Sequence, residues 1–265
     1  MPILGIAASG RVKYSLAATY TSSGTFTVPA GVSRIAVFAL GKGGSGSSGA
    51  NGSGTQEGGY GGAGSPGAFF KDYVVTPGAT YTVSTGGSGA STFGNTYPYL
   101  LNSGYGFGQT PISGSSTVSG WVPISGASGG SGGANSGPNT NGYSGTSGDA
   151  ATSIVVNLPG LGNVTLTAGA GGPGGGGGAW AETGTTTYSG GSVTSGASGA
   201  ISGSGGSARY STGTANNGNA STTGATSYGG GGGGGGGGGH AAGPYNGTGG
   251  TPSSARQGYI QIWTA

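Results

Sequence analysis

An all-β fold is what this sequence predicts: a small antiparallel β-sandwich of about seven strands, with packed polyglycine-II helices in its glycine-rich segments. Three observations carry that expectation. No stretch shows the 3.6-residue apolar period of an amphipathic helix, and the glycine content is hostile to helices throughout. Short apolar or alternating runs recur between turn residues, as strands require. Between Gly43 and Gly67, glycine takes nearly every third place: Gly43, Gly46, Gly49, Gly52, Gly58, Gly61, Gly64 and Gly67, with Thr55 alone breaking the run.

A period of three is that of a left-handed extended helix without internal hydrogen bonds. Glycine at every third place leaves such a helix one bare face, where a second backbone can lie and exchange N–H···O=C bonds. At ~3.1 Å per residue the run would be roughly 78 Å long, too long for one element, so a reversal near Thr55-Gln56-Glu57 is expected. Glycine loses ~1–2 kcal/mol of backbone entropy per ordered residue and buries almost no apolar area. Backbone bonds at ~0.5–1.5 kcal/mol each must offset that loss, which requires many stacked segments braced by a β core or by neighbouring subunits.

In chain order, the apolar head Ile3-Leu4-Gly5-Ile6 opens a segment, 1–18, read as an attachment or oligomerisation element; a first strand tucked into the protein's own sheet is the alternative. Residues 19–265 form the second unit. Thr25 to Val28 alternates, and Ser33 to Leu40 (SRIAVFAL) is apolar on both faces, as a strand between two layers should be. Ala68 to Thr76 is a further strand, closed by Pro77-Gly78, with Thr80 to Thr85 as its hairpin mate. The same grammar returns at Val155 to Gly160 before Val164 to Leu166, so two equivalent hairpins are expected. About 95–149 and 179–228 read as loop insertions, although Gly126, Gly129, Gly132 and Gly142, Gly145, Gly148 restart the three-residue period. Gly258 to Trp263 closes the chain as a strand with Ile260 and Ile262 inward.

Composition narrows the function. Glycine and proline (73 and 12) fill 85 of 265 positions, a level usual for disorder, yet only 4% of residues are charged where disordered chains are charge-rich. Seven Lys and Arg that never cluster beyond Arg11 and Lys13 are no nucleic-acid footprint. No cysteine is present, so disulfides and thiolate metal sites are excluded. No 18-residue apolar run is present, so no membrane insertion is expected. A single His240 beside eleven glycines and four scattered acids (Glu57, Asp72, Asp149, Glu182) make a poor catalytic set. No enzyme activity, cofactor or metal is expected. Gly41 to Gly46 matches G-x-G-x-x-G, but glycine density produces that by chance and no helix can follow.

Surface recognition remains. Aromatic residues punctuate the glycine: Tyr97, Tyr99, Tyr105, Phe107, Trp121, Tyr143, Trp180, Tyr188, Tyr210 and Tyr228 are the candidate receptor contacts, with Tyr60 and Tyr245 in similar settings. Tyr among Ser, Gly and Asn is the palette of antibody paratopes, giving rigid amphipathic contacts beside adaptable hydrogen bonding.

Thr19 to Val32 (TYTSSGTFTVPAGV), the Thr76 to Gly86 stretch and the terminal Gly258-Tyr259-Ile260-Gln261-Ile262 occur in the order that resembles the glycine-rich domain of bacteriophage tail-fibre and minor tail proteins. The resemblance covers about Thr19 to Trp263. It implies a virion tail component, made in the host cytoplasm, associated with other tail proteins and often a homotrimer. It also implies glycine-scaffolded loops that contact a host cell-surface glycan or outer-surface protein. A purely structural virion protein without receptor contact is the alternative, and an ice-binding protein of polyproline-II type is a third reading.

Overall fold

In the computed structural model, which describes residues 12–52, 57–85, 91–93, 121–135 and 137–265, β structure accounts for every regular element. The larger strands are β1 (Ser15–Tyr20), β2 (Gly24–Thr27), β3 (Arg34–Leu40), β4 (Gly67–Val74), β5 (Thr80–Thr85), β6 (Ser91–Phe93), β7 (Trp121–Ile124), β8 (Ser153–Leu158) and β9 (Gly162–Thr167). Six two-residue strands follow: β10 (Trp180–Ala181), β11 (Thr187–Tyr188), β12 (Ala208–Arg209), β13 (Thr214–Ala215), β14 (His240–Ala241) and β15 (Tyr245–Asn246). The chain ends in β16 (Tyr259–Thr264). The described residues thus hold sixteen strands where about seven were expected.

The apolar residues of β3 dictate the layering. Ile35 through Leu40 are all buried, so neither face of this strand meets water. It sits in the middle of a five-stranded sheet ordered β1-β16-β3-β4-β7. Ile35, Val37 and Ala39 join Ile260, Ile262 and Trp121 against a second sheet, β2-β5-β6, which contributes Phe26, Val83 and Phe93. Ala36, Phe38 and Leu40 turn to the opposite face, with Phe69, Trp263 and Ile124, and the β8–β9 hairpin covers them with Leu158 and Leu166. The core therefore has three layers, the central one apolar on both sides.

One local expectation is corrected here. β4 and β5 are not hairpin mates: β4 pairs with β3 and β7, while β5 pairs with β2 and β6. The turn at Pro77-Gly78, with Gly78 at φ 78, carries the chain from one layer to the next. β8 and β9 do form the second hairpin. At the N-terminus, β1 runs along β16 from Ser15 to Tyr20, so residues 15–18 belong to the central sheet.

Beyond the sheets, ten extended segments lie side by side: 43–52, 57–65, 126–134, 142–149, 169–179, 189–196, 200–207, 216–225, 229–239 and 247–257. Their hydrogen bonds recur at every third residue. Gly59, Gly62 and Ser65 donate to the carbonyls of Gly235, Gly232 and Gly229, and Gly232, Gly235 and Gly238 donate to Gly44, Ser47 and Ala50. Sequence neighbours run antiparallel, as where Ala50 donates to Glu57 across the first reversal. Segment 229–239 bonds to 43–52, 57–65, 169–179, 200–207, 216–225 and 247–257, so six neighbours enclose it. Segment 169–179 is enclosed in the same way by 57–65, 126–134, 142–149, 189–196, 200–207 and 229–239. Those two are the long glycine runs, and all their residues are buried.

The glycine spacing follows from this arrangement. An enclosed segment has a backbone against each of its faces and admits almost no side chain. An outer segment needs glycine only where it turns inward. A β-carbon on Gly43, Gly46, Gly49 or Gly52 would fall well within 3.0 Å of the carbonyl oxygens of Gly230, Gly233, Gly236 or Gly239. One on Gly58, Gly61 or Gly64 would meet Gly175, Gly172 or Gly169 in the same way, and Gly67 abuts the Phe38 ring. The reading of 95–149 and 179–228 as loops is corrected accordingly: 126–134, 142–149 and most of 189–225 are part of the array. Thr55 and residues 95–120 lie outside the described residues.

Where β4 bulges, Asp72 takes a left-handed φ of 61 and accepts a 2.6 Å hydrogen bond from the Tyr14 hydroxyl. Burial first, then the Asp72 carboxylate, pushes the Tyr14 hydroxyl well above the usual phenol range; burial alone raises Tyr259. Both folded values exceed the unfolded one of ~10, so their stabilising contribution is whole below that pH and is lost as pH rises towards the folded values. Tyr14→Phe is therefore expected to lose less stability than the parent between neutral pH and pH ~11 in denaturant titrations. An unchanged pH slope would contradict this assignment.

Candidate functional site

Because the segments alternate in direction, their connections fall at two ends. One end enters the sheets, where Leu40, Gly67, Ile124, Thr167 and Tyr259 bound the array. At the far end, beside Gly52 and Glu57, the described residues reverse through 137–141, 180–188, 208–215 and 240–246. These four connections are stitched into one surface.

The stitching starts at Asn139, whose left-handed φ of 58 aims its side chain across to the next connection. Its Oδ1 accepts from the backbone N–H groups of Glu182 (2.9 Å) and Thr183 (3.1 Å), and its Nδ2 donates to Thr183 Oγ1 (3.1 Å). Thr140 and Trp180 exchange backbone bonds in both directions. Trp180 in turn pairs with His240 in the parallel β10–β14 ladder, and the two rings meet edge to face at 5.4 Å between centroids. His240 shares a 2.6 Å hydrogen bond between Nδ1 and Asn246 Oδ1. In the neighbouring small sheet, Tyr188 pairs with Ala208 and packs over Ala179, Ala181 and Ala208. Arg209 Nε donates to the Thr185 carbonyl at 2.9 Å, and the Tyr245 ring covers Gly213.

The candidate aromatics divide by location. Tyr143 and Tyr210 are 59% and 44% exposed at the far end, beside Tyr245 at 51%. Trp180 and Tyr188 are half-buried there and hold the connections together. Trp121 is corrected: at 4% exposure it is a core residue, packed edge-on against Phe70 at 5.4 Å. Tyr228 is set apart from the other candidates, exposed at the sheet end under the Arg256 guanidinium. Tyr97, Tyr99, Tyr105 and Phe107 lie outside the described residues.

Asn139, Asn246 and Arg209 were not among the candidates. Asn-rich turns between glycine segments were the available signal, since Asn tolerates the left-handed conformation and bonds neighbouring backbone. His240 is held firmly despite its glycine neighbours, yet its hydrogen-bond partner is an amide and not a carboxylate. Among the described residues, no three His, Cys, Asp or Glu side chains gather as a metal site. The far end is thus a firmly tied surface of phenols, amides and hydroxyls, with one arginine, Arg209, and two glutamates, Glu57 and Glu182, among the described residues. Its chemistry suits hydrogen bonding and ring stacking with a polar partner.

Comparison with protein-family models and with curated proteins gives no match.

Proposed function

We propose that the chain is a tail protein of a bacteriophage, in which stacked polyglycine-II threads hold an aromatic surface towards the host. Hydrogen bonds that repeat every third residue between segments with no bonds within themselves support the polyglycine-II reading. One observation carries the function: the array spaces the tied connections away from the β core. Ten steps of ~3.1 Å along thread 229–239 give a separation of ~31 Å. Firm loops on a rigid support bind with little ordering cost, which is what an adhesin needs. The partner in this reading is a host glycan or outer-surface protein, and the protein acts by binding without catalysis. The N-terminal residues ahead of β1 join it to other tail proteins, in a homotrimer.

Exchange of 180–188 and 240–246 for unrelated sequences of equal length tests the reading through phage adsorption. Adsorption to the original host is expected to fall at least tenfold while particle assembly continues. Unchanged host range would overturn it.

A further inference from the structure

We propose a second binding site, at the sheet end of the array, for a saccharide or polyol unit that carries one oxyanion. A cleft of about 410 Å³ opens where thread 247–257 descends to β16, with Gly224, Ala225 and Tyr228 on its other side. This volume lies within the usual range for small-ligand pockets, ~300–1,000 Å³.

Arg256 dominates the cleft. Its guanidinium lies 4.6 Å from the centroid of the Tyr228 ring, and Tyr228 leans edge-on against Tyr259 of the central sheet at 5.4 Å. Its backbone is clamped on both sides: the N–H donates to the Gly230 carbonyl (3.0 Å), and the carbonyl accepts from Gly43 (3.1 Å). The cation is therefore positioned before any ligand arrives. It is also uncompensated, since Arg34–Asp72 is the one ion pair among the described residues. A planar fork with free donors fits a carboxylate or phosphate through two parallel bonds.

The rest of the lining points to hydroxyl groups on the same ligand. Thr21, Ser254 and Gln257 line the cleft, and among the described residues their side chains meet no hydrogen-bond partner. Apart from Tyr228, which the guanidinium covers, the remaining wall is Gly224, Ala225 and Ala255, with no large aliphatic side chain to hold a lipid tail. One fixed cation within a ring of neutral donors and acceptors matches a uronic acid or a polyol phosphate. The site is separate from the far-end surface, so it stands or falls apart from host adsorption.

Titration calorimetry on the full chain tests this with four probes: a glucuronate oligosaccharide, glycerol phosphate, a neutral glucose oligosaccharide and inorganic phosphate. At least one of the first two is expected to bind tenfold or more tightly than both others, and which one binds identifies the oxyanion. Arg256→Gln is expected to weaken that binding at least tenfold and Arg256→Lys several-fold, with the melting temperature lowered by no more than about a few degrees because the exposed side chain contributes only its contact with Tyr228. Tyr245→Ala, at the opposite end, is expected to leave it unaltered. Failure of both acidic probes to bind, equal binding of the neutral oligosaccharide or of inorganic phosphate, or full affinity in Arg256→Gln would each overturn the proposal.

Discussion

Replacement of Gly234 by alanine is expected to cost about 3–5 kcal/mol, a large share of the ~5–15 kcal/mol that holds a domain together. The added β-carbon would fall on the Gly59 carbonyl, and both neighbours are backbone with no side chain to swing away. Thread 229–239 would have to part from 57–65, which breaks the bonds Gly59 to Gly235 (2.7 Å) and Gly62 to Gly232 (2.8 Å). Gly234 itself is fixed between Pro173 O and Gly203 N–H, so it cannot retreat. The adjacent Gly233→Ala should cost less, about 1–3 kcal/mol, because its β-carbon meets the Ser221 hydroxyl first at 2.7 Å. Thr222→Ala, exposed on an outer thread, should stay within about 0.5 kcal/mol. Denaturant unfolding of the three variants measures the gradient. Equal stability of Gly234→Ala and Thr222→Ala would mean that the array tolerates side chains at its centre, and the enclosure argument would fail.

The same enclosure explains what could be read in the sequence. An unbroken glycine run such as 229–239 signals a thread with backbone on every side, and a strict third-residue period such as Gly43 to Gly52 signals one bare face. Threads 189–196, 200–207 and 216–225 escaped notice because outer positions carry Ser, Thr, Asn and even Ile201 and Val193. Their inward glycines, Gly191, Gly203, Gly206 and Gly218, are too sparse to stand out in a chain with 73 glycines. In the β core, the two-sided burial of β3 was legible from SRIAVFAL, because alternation is absent when both faces are covered. The β4–β5 pairing was misread because Pro77-Gly78 marks a reversal without stating which sheet receives the next strand. As for the site, an aromatic residue's neighbours in sequence do not reveal which end of the array it occupies. Tyr210 and Tyr228 have similar surroundings, yet an odd number of thread lengths separates them, and they emerge at opposite ends.

Phe38→Ala is expected to cost about 3–5 kcal/mol, through lost burial and the cavity left in the central sheet. Phe38 is fully buried, meets the Tyr259 ring edge-on at 5.6 Å, and is pressed by Gly67 at the point where thread 57–65 enters β4. The consequence should extend well beyond the sheet. Glycine threads carry almost no apolar area, and their hydrogen bonds only about match the entropy lost on ordering, so the array has little stability of its own. The sheet anchors them, since 43–52 leaves β3, 57–65 enters β4, 126–134 leaves β7 and 247–257 enters β16. Loss of the anchor should therefore release the threads and the far-end surface together. Hydrogen exchange offers the measurement. In Phe38→Ala, amide protection along 229–239 should fall in step with protection in β3, within a single cooperative transition. If those glycine amides kept their native protection while the sheet opened, the array would be an independent folding unit. The far-end surface would then need no β core to hold it in place.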